Sequence, residues 1–309
     1  MTDISIVVPV LNEEQNVKPL YDQITKVMIK LKKNYEVIYV DDGSKDCTFQ
    51  NLSAINKKDS RLKVVSFRRN YGKAAALSAG FELAQGDIVI TMDGDLQDNP
   101  EEIPRFLKVM DMGYDLVSGW KKTKHQGTLK VYPSRIFNIL TRQLTGVRLH
   151  DFNCPFKAYK NEVVKNIVLY GELHRYIPVF AHWNGYRIAE IPVKNYERKF
   201  GFTKYSTGRI LQGFMDLITV KFMSSYQLHP LHLFGTFGAI FVALGGLAGL
   251  YLTYLWVLGQ GIGSRPLLML AVLMMVLGVQ FASMGLIAEM ITHANQRDHK
   301  SYSIKKILK

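Results

Sequence analysis

The chain has 309 residues, of which 48% are hydrophobic and 21% charged, a composition that excludes a disordered polymer and accommodates one large domain or two smaller ones. Lys and Arg number 39 against 26 acidic residues, and the formal net charge of +13 indicates anionic partners such as phosphates or an acidic membrane face. The 2 cysteines, Cys47 and Cys154, exclude a disulfide framework and do not have the spacing of metal ligands.

Residues 1–200 alternate short β-rich runs with helical patterns. Strands are predicted at 4–10, 36–40, 62–67 and 87–92, because these runs are rich in Val and Ile and are bounded by turn residues. Helices are predicted between them, at 14–32, 46–58 and 72–84. This alternation predicts an α/β fold with a mostly parallel sheet and flanking helices.

Polar residues follow each of the predicted strands. In chain order they are Asn12-Glu13-Glu14, Asp41-Asp42-Gly43-Ser44, Asn70-Tyr71-Gly72-Lys73 and Asp93-Gly94-Asp95-Leu96-Gln97-Asp98. The carboxyl ends of parallel strands lie at one edge of a sheet, where ligands bind. That edge is therefore the candidate active site.

The Asp93-Gly94-Asp95 motif is a candidate metal site. Carboxylates at positions i and i+2 beyond a strand can both reach one divalent cation, and Mg²⁺ and Mn²⁺ commonly bridge a diphosphate to one or two carboxylates. Gln97 follows closely, and Asp41-Asp42 lie at the end of the strand that comes two strands earlier in the chain. Both features strengthen this interpretation. The sequence has no glycine-rich loop of the Walker or dinucleotide type, which argues against an NTPase or a dehydrogenase.

Residues 194–221 form a basic segment in which apolar residues recur at helical spacing. The pattern predicts an amphipathic helix in the lipid headgroup layer, with an ordinary surface helix of the soluble domain as the alternative. The apolar positions are Ile210, Leu211, Phe214, Leu217, Ile218 and Phe222.

Two runs without Asp, Glu, Lys or Arg follow, at 231–264 and 266–288. A membrane-spanning helix needs about 20 apolar residues, so we predict spans near 233–257 and 266–289. Basic residues flank both spans on the outer sides, which predicts a plasma-membrane protein with its catalytic domain and both termini in the cytoplasm. Gly245, Gly246 and Gly249 would allow close helix contact and hence a homo-oligomer.

Taken together, the motifs resemble glycosyltransferase family 2. Ile6-Val7-Val8-Pro9 and the four polar segments carry the resemblance. With the two C-terminal spans, the whole chain resembles the polyprenyl-phosphate glycosyltransferases that use dolichyl or undecaprenyl phosphate. The resemblance implies a GT-A-like fold and the inverting transfer of a single sugar from a nucleoside-diphosphate sugar, of the UDP-glucose or GDP-mannose type, to a polyprenyl phosphate, with Mg²⁺ or Mn²⁺ as cofactor.

The resemblance also implies roles on the donor side. Nucleotide-sugar contacts fall on Pro9, Leu11, Glu13, Lys73, Asp93 and either Asp41 or Asp42, the last two on the base or ribose side. The metal and the diphosphate fall on Asp93, Asp95 and Gln97.

On the acceptor side, the resemblance places a catalytic acidic residue at Asp151. A phosphate monoester has a second pKa near ~6 and is already largely ionised, so an orienting or electrostatic role for Asp151 is favoured over that of a base. Arg198, Lys204 and Arg209 would bind the acceptor phosphate, unless they form a juxtamembrane patch held by headgroups. His174 and Arg175 are further candidates for substrate contact, with a structural role as the alternative.

These predictions divide the chain into a catalytic domain (1–200), an acceptor loop with an interfacial segment (201–231), the two spans (232–291) and a basic tail (292–309). A processive polysaccharide synthase is one rival, but the sequence lacks that group's Gln-x-x-Arg-Trp motif and its additional spans. A non-catalytic membrane partner subunit is another, and the intact acidic motifs argue against it. No nucleic-acid partner is expected, because the basic residues cluster beside the membrane without a binding motif.

Overall fold

The computed structural model describes residues 2–121, 138–167, 169, 171, 173–196, 219, 222 and 230–295. The chain forms two compact units, Met1–Ile218 and Thr219–Lys309. The first contains the sheet, and the second contains the two long apolar helices.

The described part of the first unit contains a seven-stranded sheet with the strand order β3-β2-β1-β4-β6-β5-β7. The strands are β1 (Ile4–Val10), β2 (Tyr35–Asp41), β3 (Leu62–Ser66), β4 (Ile88–Thr91), β5 (Leu116–Lys121), β6 (Lys157–Lys160) and β7 (Ile188–Val193). All neighbours pair in parallel except β6, which is antiparallel to both β4 and β5. The expectation of a mostly parallel sheet is confirmed.

Helices flank the sheet. They are α1 (Val17–Leu31), α2 (Thr48–Asn56), α3 (Lys73–Leu83), α4 (Ile103–Asp111), α5 (Asn161–Lys165) and α6 (Ile177–Trp183), with short 3-10 turns at Pro100–Glu102 and Leu173–Tyr176 and helical residues at 138–145. Helix α1 begins three residues later than the sequence pattern predicts, since the preceding loop is hydrogen-bonded to the start of α2: the Glu13 amide donates to Thr48 Oγ1 at 2.8 Å. The later strands β5 to β7 were not predicted from sequence.

The core lies on both faces of the sheet because side chains alternate along its buried strands. On β1, Ile6 and Val8 pack with α1 and α4 on one face, whereas Val7 packs with α3 on the other. All three are fully buried. Strands buried on both faces read as continuous apolar runs, which is why β1 and β2 were recognisable from sequence.

The second unit contains α7 (Pro230–Val257) and α8 (Pro266–Asn295). The predicted pair of apolar helices is confirmed: both are long and apolar enough to cross a membrane, and only 11% of each apolar window is buried, unlike the core helix of a soluble protein. The helices touch where Gly238 meets Gly278, since a Cβ on Gly278 would lie 2.8 Å from the Gly238 oxygen. At the open end of the hairpin, the Leu231 amide donates to Glu289 Oε2 at 3.1 Å, which satisfies one free N–H of the first turn of α7.

Candidate active site

The polar segments that follow the strands lie together at one edge of the sheet. The carboxyl ends of β1 to β4 lie there, as do those of β5 and β7, because all of these strands run in one direction. Strand β6 runs the opposite way and brings its first residue, Lys157, to the same edge, where it pairs with Thr91. Seven strand ends of the described sheet therefore lie at one edge.

Two of the loops at this edge are bonded to each other. The Asn12 amide donates to Ser44 Oγ, and the Lys45 amide donates to Asn12 Oδ1, both at 2.8 Å. Of the predicted nucleotide residues, Pro9 lies near the end of β1, and Leu11 and Glu13 lie in the loop that follows; all three are partly exposed. Glu13 also accepts a hydrogen bond from Asn16 Nδ2 at 2.5 Å.

Asp41 and Asp42 are both buried and hold the backbone of neighbouring loops. Asp41 accepts hydrogen bonds from the Ser44 amide and the Ser66 hydroxyl, each at 3.0 Å. Asp42 accepts one from the Tyr71 amide at 2.7 Å and one from the Gly72 amide at 2.9 Å. The two oxygens of Asp42 thus fix the turn that opens α3.

Gly43 makes the approach of these loops possible. Its φ of +73° is in the left-handed region, and a Cβ there would lie 2.5 Å from the Arg69 carbonyl carbon. A larger residue would push the loop before α3 away from Asp42.

Asp93 forms an ion pair with Lys73, the first residue of α3. Burial opposes ionisation of Asp93, but the charge and the hydrogen bond of Lys73 outweigh it, helped by the charges of Lys121 and Lys157, and the pKa of Asp93 lies below its usual value. Asp93 is therefore a carboxylate at neutral pH.

Asp95 is buried, and its Oδ1 accepts a hydrogen bond from the Gln97 amide at 3.2 Å. Between them Leu96 has a φ of 62°, a conformation that is strained for a residue with a side chain. The Gln97 side chain donates to the Tyr196 carbonyl at 3.3 Å, and the Tyr196 amide donates to the Gln97 carbonyl at 3.0 Å. The loop at residues 93–98 is thus tied to the residues that follow β7.

Two lysines at this edge, one partly and one fully buried, were not identified from the sequence as site candidates. Lys121, at the end of β5, pairs with the buried Asp98 at 2.8 Å, and although burial opposes its charge, Asp98 raises the pKa of Lys121. Lys157 donates to the carbonyls of Phe152 and Cys154, and burial lowers its pKa. A lysine inside an apolar run, as in Phe156-Lys157-Ala158-Tyr159, was the available signal.

Asp151 is buried at the start of the loop that Lys157 holds. Its Oδ1 accepts from the Asn153 amide at 3.1 Å, and its own amide donates to Glu190 at 3.0 Å. These bonds fix the loop without defining a catalytic role.

A cleft opens between the end of β4, the start of α3 and the turn at Leu173–Tyr176. Of the predicted residues, Pro9, Lys73, Asp93, His174 and Arg175 are among the described residues that line it, together with Asn153 and Lys157. Asp95 and Asp151 are not among its lining residues. The cleft thus combines one carboxylate with several cationic groups.

The carboxylates of the loop at residues 93–98 are chemically suited to a divalent metal ion. Within the described ranges, no three His, Cys, Asp or Glu side chains converge as a complete protein ligand set. Mg²⁺ and Mn²⁺ bound through a substrate diphosphate need only one or two carboxylates, which Asp93 and Asp95 can supply. The predicted acceptor residues Arg198, Lys204 and Arg209 lie outside the described residues.

Comparison with known proteins identifies the class of enzyme. The sequence profile described as glycosyl transferase family 2 matches residues 5–168. The chain is 38% identical over 316 residues to a dodecaprenyl-phosphate galacturonate synthase of Rhizobium johnstonii, covering 99% of this chain and 93% of the relative. It is 34% identical over 311 residues to an undecaprenyl-phosphate 4-deoxy-4-formamido-L-arabinose transferase of Pseudomonas fluorescens, covering 99% and 90%.

The fold is similar to that of glucosyl-3-phosphoglycerate synthase from Mycobacterium tuberculosis. Its complex with phosphoglyceric acid has a TM-score of 0.55 at 21% identity, covering 72% of this chain and 80% of that one. Its complex with Mn²⁺, UDP-glucose and phosphoglyceric acid has a TM-score of 0.56 at 20% identity, covering 72% and 79%. The GT-A-like expectation is confirmed, and the protein is a glycosyltransferase. The chain belongs to glycosyl transferase family 2.

Proposed function

We propose that this glycosyltransferase moves one sugar from a nucleoside diphosphate to a polyprenyl phosphate in a membrane. The observation that carries the proposal is the similarity over 99% of the chain to relatives named for dodecaprenyl phosphate and undecaprenyl phosphate. The two long apolar helices in the same chain suit an acceptor that resides in the bilayer.

In this proposal Asp93 and Asp95 hold Mg²⁺ or Mn²⁺ beside the donor diphosphate, with Gln97 next to them. When bound, the ion neutralises the charge that develops on the departing diphosphate. The mycobacterial synthase was solved with Mn²⁺ and UDP-glucose bound. This complex is a reason to test whether the present enzyme also requires a divalent metal ion. Pro9, Leu11 and Glu13 line the nucleotide pocket, while Asp41 and Asp42 support it by holding the loops around it.

The reaction is a single displacement. An oxygen of the lipid phosphate attacks the anomeric carbon, the bond from that carbon to the diphosphate breaks, and its electron pair leaves with the nucleotide. An α-linked donor therefore gives a β-linked product. Because the lipid phosphate is largely ionised at neutral pH, Asp151 orients the reactants and need not remove a proton.

Positive charge is needed to bring two anionic partners together. Arg198, Lys204 and Arg209 are proposed to bind the acceptor phosphate, and Lys73 lies on the donor side. When both partners are held in line, the reaction between them becomes effectively unimolecular, and its entropic barrier is lower.

The test is sugar transfer by the purified full chain in liposomes with undecaprenyl phosphate. The labelled donors should include UDP-glucose, GDP-mannose, a nucleotide uronic acid and a nucleotide aminopentose, because the two relatives are named for an acidic and a modified sugar. The expected product is a lipid carrying a single sugar, and EDTA should abolish its formation.

Asp95→Asn should reduce transfer by about 100-fold or more, since it removes electrostatic stabilisation of the leaving group. Asp111→Asn, on the exposed C-terminal end of α4, is the matched control and should retain activity. A ladder of products would favour a processive synthase. Full activity in Asp95→Asn would contradict the site, and no transfer from any donor would favour a non-catalytic subunit.

A further inference from the structure

Lys73 is the most exposed of the three lysines whose charges act on Asp93. Its side chain is 30% exposed, compared with 13% for Lys121. Lys121 pairs with Asp98, and Lys157, itself 3% exposed, donates to two backbone carbonyls. Lys121 and Lys157 are therefore held in place by other partners, whereas Lys73 is paired with Asp93 and lines the cleft.

The position of Lys73 depends on Asp42. The two carboxylate oxygens of Asp42 accept hydrogen bonds from the amides of Tyr71 and Gly72, immediately before Lys73. Gly72, with a φ of 95°, then turns the chain into α3. These contacts aim the first residue of α3 at the end of β4.

The ion pair competes with a metal ion for the same carboxylate. A divalent cation on Asp93 would face the ammonium group of Lys73 at close range, and the two like charges repel. A diphosphate resolves the conflict, because its oxygens can ligate the metal and accept the lysine together. A partly exposed pair of this kind is weak enough to exchange.

We propose that Lys73 is an exchangeable counter-ion of Asp93, which disfavours metal binding until a diphosphate arrives and then moves to that diphosphate. The inference rests on the proposed metal and diphosphate chemistry of this site. Metal and diphosphate consequently bind with positive coupling, and each raises the affinity for the other. In this proposal Lys73 has two roles: it controls the access of the metal to Asp93, and it contacts the diphosphate once that is bound.

Two binding measurements on the purified full chain test this, and neither requires sugar transfer. In the first, Mn²⁺ alone is titrated and followed by electron paramagnetic resonance. Lys73→Gln should bind Mn²⁺ about 10-fold more tightly than the wild type, within the usual range of coupling effects. Lys73→Arg, which keeps the charge, should resemble the wild type, and Asp93→Asn should abolish the binding.

In the second, a preformed complex of Mn²⁺ with inorganic diphosphate is titrated by calorimetry. Lys73→Gln should bind it about 10-fold more weakly than the wild type. The exposed Lys57, at the end of α2, provides the control variant Lys57→Gln, which should change neither affinity.

Opposite changes in the two titrations distinguish counter-ion exchange from a structural role, which would weaken both. Unchanged affinities, two losses, or no Mn²⁺ binding by any variant would overturn the inference. If the opposite changes appear but no donor sugar is transferred, the inference stands and the proposed acceptor chemistry fails.

Discussion

The ion pair of Asp98 with Lys121 lies behind the Asp93 loop and joins two parts of the chain that are distant in sequence. The side chain of Asp98 is 0% exposed and that of Lys121 is 13% exposed. The second oxygen of Asp98 accepts from the Asp93 amide at 3.3 Å. The pair therefore fixes the backbone at Asp93.

Removing one partner of this pair should be costly. Lys121→Met leaves the charge of Asp98 buried and should lower the free energy of unfolding by about 3–5 kcal/mol. Lys121→Met combined with Asp98→Leu should recover much of that loss, because no unpaired charge remains. Urea unfolding of the first unit, followed by tryptophan fluorescence in detergent, measures both.

Lys30→Met, in the exposed last turn of α1, is the control and should change stability little. Equal stability of Lys121→Met and the control would show that the pair does not hold the loop.

Glu36 stabilises the opposite edge of the sheet in a pH-dependent way. It accepts from Ser5 Oγ at 2.6 Å and from the Gln85 amide at 2.8 Å, and it pairs with Lys63 at 2.6 Å. Burial opposes its ionisation, but these three partners outweigh burial and lower the pKa of Glu36. One buried carboxylate thus links β1, β2 and β3 to the turn before β4.

A lowered folded-state pKa means that the stabilisation is complete above the unfolded value of about 4.3 and is lost as the pH falls through the folded value. Glu36→Gln should therefore be less stable than the wild type at about pH 7, by about 1–3 kcal/mol. The difference should narrow as the pH is lowered to about 3. Urea unfolding across this range measures it, and a constant difference would contradict the role of the charge.

At the scale of elements, the close contact of α7 with α8 depends on glycine. A Cβ on Gly278 would lie 2.8 Å from the Val242 amide nitrogen and 2.8 Å from the Gly238 oxygen, neither of which can move without shifting the helix. Gly246 lies on the same hairpin, but a Cβ there would have nothing within 4 Å. The two positions form a matched pair.

Gly278→Ala should force the helices apart and destabilise the hairpin by about 1–3 kcal/mol, as overpacking does in other cores. Gly246→Ala should be tolerated. Loss of helical circular dichroism during an SDS titration of the full chain measures the difference. Equal effects of the two substitutions would show that the helices do not need the close approach.

The elements differ in how far the sequence predicts them. Strands β1 to β4 follow one another with a helix between each pair, and their apolar runs and turn residues are local signals. Strand β6 has only four residues and pairs with β4 and β5, which precede it by tens of residues in the chain. Its position depends on tertiary packing, which no local pattern reports.

The same distinction applies to the site. Asp93 and Asp95 were predicted because they directly follow a strand whose end defines the edge. Lys157 was not singled out, since it reaches the edge only through the reversed direction of β6. Pairing of Lys121 with Asp98 and of Lys73 with Asp93 likewise depends on contacts between distant segments. The position of these acidic residues at the edge of the sheet was predictable, whereas the ion-pair partner of each charge was not.

At the scale of the whole molecule, the orientation in the membrane remains a prediction. Both termini are expected in the cytoplasm because the flanks of the two helices are basic while the connecting turn carries only Arg265. Tyr251, Tyr254 and Trp256 are exposed near that turn, where aromatic side chains suit a membrane interface.

Labelling with a membrane-impermeant maleimide tests this orientation. Burial raises the pKa of the Cys154 thiol to about 12, so it should react slowly, and only the exposed Cys47 needs replacement by Ser. In right-side-out vesicles, Ser264→Cys in the turn should be labelled, and Ser301→Cys in the tail should react only after permeabilisation. The reverse pattern would place the catalytic unit outside.

The reversed direction of β6 affects how a lineage of such enzymes can diversify. Strands β1 to β4 are joined by helical crossovers, so an insertion there disturbs the sheet that carries Asp93. The described residues before β6 reach the same edge as Asp93 from the opposite strand direction, and side chains hold them there: the Asp151 amide donates to Glu190, and Lys157 donates to the Phe152 and Cys154 carbonyls. We therefore expect related enzymes to differ more in the length of the loop before β6 than in strands β1 to β4, which lead to the Asp93 segment.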